Sequence, residues 1–148
     1  MRKELDALLC ERYPLIFADR GGDITKTCMA FGFMCGDGWF TLIDTLCERL
    51  QFWTDHNQAP QIVATQVKEK WGELCFYVQC SNEEQQGMIT MAEAMSGHIC
   101  EECGQLGQAL VNGSVFLTRC STHSPELAIS LAEFYAKHGD SHIPGVTP

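Results

Sequence analysis

The chain has 148 residues, enough for one domain with a substantial core, since a domain of this size buries roughly 70% of its unfolded surface. Its formal net charge is −9, from 19 acidic against 10 basic residues scattered singly or in pairs, which argues against a general affinity for phosphate backbones. There is no leading apolar segment ahead of the nine cysteines, and no apolar run approaches the roughly 18 residues of a membrane span. Together these predict a soluble protein of a reducing cytoplasm, its thiols free or metal-bound.

From the N-terminus, Leu5, Leu8, Leu9 and Tyr13 share one helical face between Arg2 and Tyr13, and Pro14 ends the pattern. Arg20-Gly21-Gly22-Asp23 reads as a turn. Met29, Phe31 and Phe33 alternate with Ala30 and Gly32, which predicts a strand whose small-residue face admits a close neighbour. In Cys35-Gly36-Asp37-Gly38-Trp39-Phe40, Asp37 or Gly38 is placed to cap a helix. Its stripe of Trp39, Leu42, Ile43, Leu46, Leu50 and Trp53 should make it the main core helix. Residues 62–69 and 73–78 predict a hairpin about Lys70-Trp71-Gly72, beside the Met29–Phe33 strand, with Leu74, Phe76 and Val78 facing inward. Ser81 and Glu84 form a capping-box pattern for a helix to about Ser96, stopped by Gly97. Met88, Ile89, Met91, Ala92 and Met95 lie along one side of it and are read as core packing.

The last third carries Cys100 and Cys103 in one knuckle and Cys120 and His123 in another, a C-x2-C-x16-C-x2-H pattern. Thiolates and an imidazole at these spacings predict one structural zinc ion per chain. Between the pairs, residues 109–111 and 115–118 predict a hairpin about Asn112-Gly113, the preferred type I′ loop. Ser124 as N-cap, Pro125 at the first position and Glu126 in the first turn predict a helix from Pro125 to about His138, stopped by Gly139, with Asp140 to Pro148 a disordered tail. Knuckle, hairpin and helix in that order resemble a treble-clef zinc finger. Four protein ligands leave no open position for an activated water. Residues 104–119 hold neither histidine nor carboxylate, so the hairpin lacks the equipment of a nuclease.

The predicted fold class is α+β: a small antiparallel sheet packed by helices over residues 1–97, and a treble-clef-like zinc module over residues 98–139. Lys68, Lys70, Trp71 and Glu73 crowd the hairpin tip and are the candidates for an interaction surface. The competing role is a solvated strand edge with Trp71 folded back on the core. Cys35 beside Asp37 at a helix start is a candidate activated thiol, though no histidine is assignable beside it. Cys28 with Cys35, Cys75 with Cys80, and His98 match no tight knuckle for a second metal, and these cysteines are read as buried thiols.

The stretches Phe31-Gly-Phe-Met-Cys-Gly-Asp-Gly-Trp-Phe, Lys68-Glu-Lys-Trp-Gly-Glu-Leu-Cys-Phe-Tyr, Ala92-Glu-Ala-Met-Ser-Gly and Cys100-Glu-Glu-Cys-Gly resemble a family of small proteins of tailed bacteriophages and prophages. The resemblance spans roughly residues 12–123 and implies a bacterial host cytoplasm, with no catalytic residues to carry over. It favours an accessory protein that binds and modulates a host protein, a defence-system component included. A nucleic-acid-binding zinc finger and a thiol enzyme at Cys35 and Asp37 are the alternatives, and a homodimer is the default assembly.

Overall fold

A computed structural model describes residues 1–139; the tail expected over residues 140–148 lies outside the described residues. The fold is α+β. Helix α1 spans Lys3–Arg12, α2 Phe40–His56, α3 Glu83–Ser96 and α4 Leu131–His138, and the strands are β1 Ala64–Lys70, β2 Glu73–Val78, β3 Gln108–Asn112, β4 Val115–Arg119 and β5 Ile129–Ser130. One antiparallel sheet pairs β1 with β2, and a second has the order β4-β3-β5.

The core follows from the periodicities. Trp39, Ile43, Leu46 and Leu50, one stripe of the α2 segment, are buried in a cluster with Ala64, Val67, Leu74 and Phe76 of the β1–β2 hairpin, Ile89 and Ala92 of α3, and Leu9 of α1. The loop after α1 adds Ile16 and Phe17, whose ring packs edge-on against Phe33 at 4.9 Å. The β1–β2 turn is Trp71-Gly72, with φ of 57° and 83°; positive φ at both central residues is the type I′ signature that matches strand twist.

The Met29–Phe33 strand does not form. Thr27 Oγ1 accepts from Met29 N at 3.1 Å, which starts a 3-10 turn over Cys28–Phe31, and Gly32 at φ 80° then reverses the chain. Met29 and Phe33, four residues apart, still reach the core, so burial alone suits turn and strand alike. Met34 makes the segment's backbone bridge to the sheet, parallel to Lys68, and Thr27 Oγ1 donates to Thr65 O at 3.2 Å, leaving two strands there instead of three. The small-residue face does admit a close neighbour: a Cβ on Gly32 would strike Asp6 Oδ2 and the guanidinium of Arg20, which pair at 2.9 Å.

Three caps differ from expectation. Asp37 does not cap α2; it accepts from Arg2 N at 2.7 Å and pairs with the Arg2 side chain at 3.2 Å. The capping box of α3 is Asn82 with Gln85, because fully buried Gln85 also donates to Thr54 Oγ1 and Pro60 O, and a glutamate there has no proton to give. Helix α4 starts at Leu131, on a Ser130–Glu133 capping box, and Ile129–Ser130 first joins the edge of β3. Leu127, 82% exposed, has nothing to bury, so the Pro125 start gains no packing.

The methionine stripe divides. Ile89 and Ala92 turn into the core and Met88 is half-buried, while Met91 and Met95 remain 63% and 47% exposed. Among the described residues no helix is long and apolar enough to cross a membrane.

Candidate metal centre

Each ligand pair sits on its own tight turn. Gly104 N donates to Cys100 O at 2.8 Å, Gly104 takes φ 77°, and Cys100 N donates to Gln105 O at 2.8 Å, closing the first knuckle beneath an Ile99–Leu106 bridge. In the second, His123 N donates to Cys120 O at 3.1 Å. The β3–β4 hairpin returns the chain between them in a register that pairs Asn112 with Val115, so its two-residue loop is Gly113-Ser114 and not Asn112-Gly113. Gly113 has φ 64° and Ser114 does not share it, which fits a loop with glycine at its first central position.

The four ligand atoms of Cys100, Cys103, Cys120 and His123 all lie within 4.8 Å of one another. Cys103 Sγ is 3.7 Å from Cys120 Sγ, Cys100 Sγ is 3.7 Å from His123 Nδ1, and Cys120 Sγ is 3.3 Å from His123 Nδ1. A tetrahedron with metal–sulfur bonds of about 2.3 Å has edges of about 3.8 Å, so these separations are those of ligands around one ion. They are far beyond a sulfur–sulfur bond, and all nine cysteines are free. Cys100 anchors the cluster from a buried position while Cys103 and His123 face solvent.

The backbone prepares the sulfurs. Desolvation pushes the Cys100 thiol up, but amide donors from Cys120, Cys103 and Glu102 outweigh it and hold the group below its ordinary value. At Cys120 desolvation is likewise outweighed by the His123 amide and by the Cys103 and Cys100 thiols. Cys103 goes the other way: the Gln105 amide lowers it, but desolvation and the two neighbouring sulfurs raise it. A third thiolate beside two others needs a cation, and four donors converging on one point can supply its shell. Among the described residues this is the one Cys, His, Asp and Glu group close enough to hold a metal.

The glycines of the Cys35–Phe40 motif form the socket of this module. A Cβ on Gly36 would strike Glu101 O, and one on Gly38 would strike Cys100 O and Gly104 N. Gly36 N donates to Glu101 Oε1 at 2.8 Å and Gly38 N to Glu101 O at 2.7 Å, and the buried Trp39 indole donates to Ile99 O at 2.8 Å. Arg119 holds the knuckle's two carboxylates, Glu101 and Glu102, at 2.9 Å each. The Trp71-Gly72 turn is the second contact: Thr118 Oγ1 donates to Gly72 O at 2.7 Å, and a Cβ on Gly72 would lie 3.1 Å from Leu117 N. Trp71 meets Phe116 edge-on at 5.5 Å, and Phe116 meets Phe134 of α4 at 5.7 Å. Sequence reasoning named the four side chains that cluster here but missed this socket. Its signal was the Gly-x-Gly-Trp run, which local rules read as a cap.

The interaction candidates gather where expected. Lys70 pairs in register with Glu73 and Lys68 with Cys75, around a half-exposed Trp71 that also packs on Phe116. Lys68 Nζ lies 5.7 Å from the Tyr77 ring. Cys35 is buried, but Cys28 and Cys80 are exposed and Cys75 half-buried, so the reading of these as buried thiols holds for Cys35 alone. No family model, curated protein or solved structure matches the chain.

Proposed function

We propose that the chain is a zinc-stabilised accessory protein of phage or prophage origin that binds a host protein and modulates its activity. The observation that carries the reading is the Cys3His cluster, its ligand atoms all within 4.8 Å of one another, docked through backbone contacts on the core. Three thiolates and one imidazole are a donor set suited to zinc, and four protein ligands make a structural ion. The phage setting rests on the resemblance of the sequence motifs.

The competing chemistry finds less support. Burial pushes the Cys35 thiol up to about 12, and it is 6% exposed, so at neutral pH it stays protonated and shielded. Among the described residues Arg2, Arg12, Arg20, Lys26 and Arg119, half of the ten basic residues, are each paired with a carboxylate of the chain, which reduces the cations available to a phosphate backbone. Affinity capture from nuclease-treated bacterial lysate tests the reading, with bound species identified by mass spectrometry. A single stoichiometric host protein is expected; retention of nucleic acid alone, or of nothing, would overturn it.

A further inference from the structure

An apolar groove of about 920 Å3 runs between α2 and α3 and ends against the first knuckle. Its walls include Leu42 and Leu46 of α2, Met88, Met91 and Met95 of α3, and Ile99 beside the knuckle. The lining positions recur at helical spacing from Thr41 to Arg49 and from Glu84 to Met95, so the longer wall spans about 17 Å, three helical turns.

Two observations set this groove apart from an ordinary crevice. Gly87 lines it from the interior of α3, where glycine weakens a helix relative to alanine. Nothing lies within 4 Å of where its Cβ would be, and its φ is not positive, so neither internal packing nor backbone conformation requires glycine there. Close approach of an outside surface would. Met91 and Met95 are the second observation: flexible thioethers kept exposed on a groove wall suit a surface that moulds itself to a partner.

Charge selects the occupant. Glu84 lines the groove, Glu48 and Glu83 stand exposed on the same two helices beside the lining positions, and none of the three has an ion-pair partner among the described residues. The groove's own cation, Arg49, lies over the Phe52 ring at 4.6 Å. A second copy of the chain would bring the same carboxylates and another net charge of −9. We infer that the α2–α3 groove receives a basic amphipathic helix of the partner protein, about three turns long, its apolar face on the methionines and its Lys or Arg flanks on the glutamates. This rests on the reading of the chain as a host-protein binder and names the surface it would use.

The test titrates the full-length, metal-loaded protein into a fluorescein-labelled synthetic helix of about 15 residues with Leu at one face and Lys and Arg on its flanks. A second peptide keeps the apolar face and replaces the flanks with Glu. Anisotropy should show saturable binding of the basic peptide, about tenfold or more weaker binding of the acidic one, and about tenfold loss in Gly87→Leu and in Met91→Glu. Gly87→Leu has open space for its side chain and should melt no lower than the parent, so its loss of binding would not reflect a damaged fold. Equal binding of the two peptides, no saturable binding, or binding unchanged in Gly87→Leu would overturn the proposal. So would a dimer in sedimentation that Met91→Glu disperses, or a groove that saturates with an apolar dye and takes no peptide. A host protein captured equally by the parent and by Gly87→Leu would overturn the groove and leave host binding standing.

Discussion

Gly38 has no room for a side chain: a Cβ there would meet backbone atoms of Cys100 and Gly104, neither of which can rotate aside. Gly38→Ala should therefore destabilise the protein by about 2–3 kcal/mol or lower its metal affinity, read by chemical denaturation and by competition with a chelating dye. Trp39→Phe keeps the buried ring but removes the donor to Ile99 O, and a carbonyl left unpaired there should cost about 1–3 kcal/mol in the same denaturation. At this scale the sequence was readable where chemistry is local. Cys100, Cys103, Cys120 and His123 could be named because ligand type and spacing are written within short turns. The purpose of Gly36 and Gly38 could not, because what fills the space beside them lies more than sixty positions along the chain.

Elements were readable where burial and period agree. The β1–β2 hairpin and helices α1 to α3 appear where alternation and helical stripes place them. They failed where two local signals compete. Ser124-Pro125-Glu126 and Ser130 with Glu133 both announce a helix start, and the pairing of Ile129–Ser130 with β3 decides between them. Ser130→Ala should cost about 1 kcal/mol and fray α4, while Ser124→Ala should leave helicity and melting unchanged, a contrast that circular dichroism can read. The same competition shifted the cap of α3 by one residue. Gln85→Glu replaces a buried donor with a carboxylate facing Pro60 O and should destabilise by about 2–4 kcal/mol, against no change for Glu84→Gln, in thermal melts.

Across the whole molecule, the Cys/His module has three sets of contacts: the cluster of Cys100, Cys103, Cys120 and His123, the Gly36–Trp39 socket, and the Trp71-Gly72 turn with its aromatic chain to Phe134. The cluster of α1, α2, α3 and the β1–β2 hairpin buries its apolar face without any of Cys100, Cys103, Cys120 and His123. Chelation should therefore release residues 98–139 first, seen as hydrogen exchange of β3 and β4 amides ahead of those in α2. The α+β class was readable from the order of elements, but the dependence of the two glycine turns on a distant knuckle is a tertiary fact that no window of sequence contains.

The most direct measurement is the native mass of the protein purified without chelator. One zinc ion per chain is expected in the parent, lost in Cys120→Ser together with early melting of the C-terminal third. A parent chain that is metal-free yet fully folded, with β3 and β4 amides protected, would contradict a fold clamped by zinc.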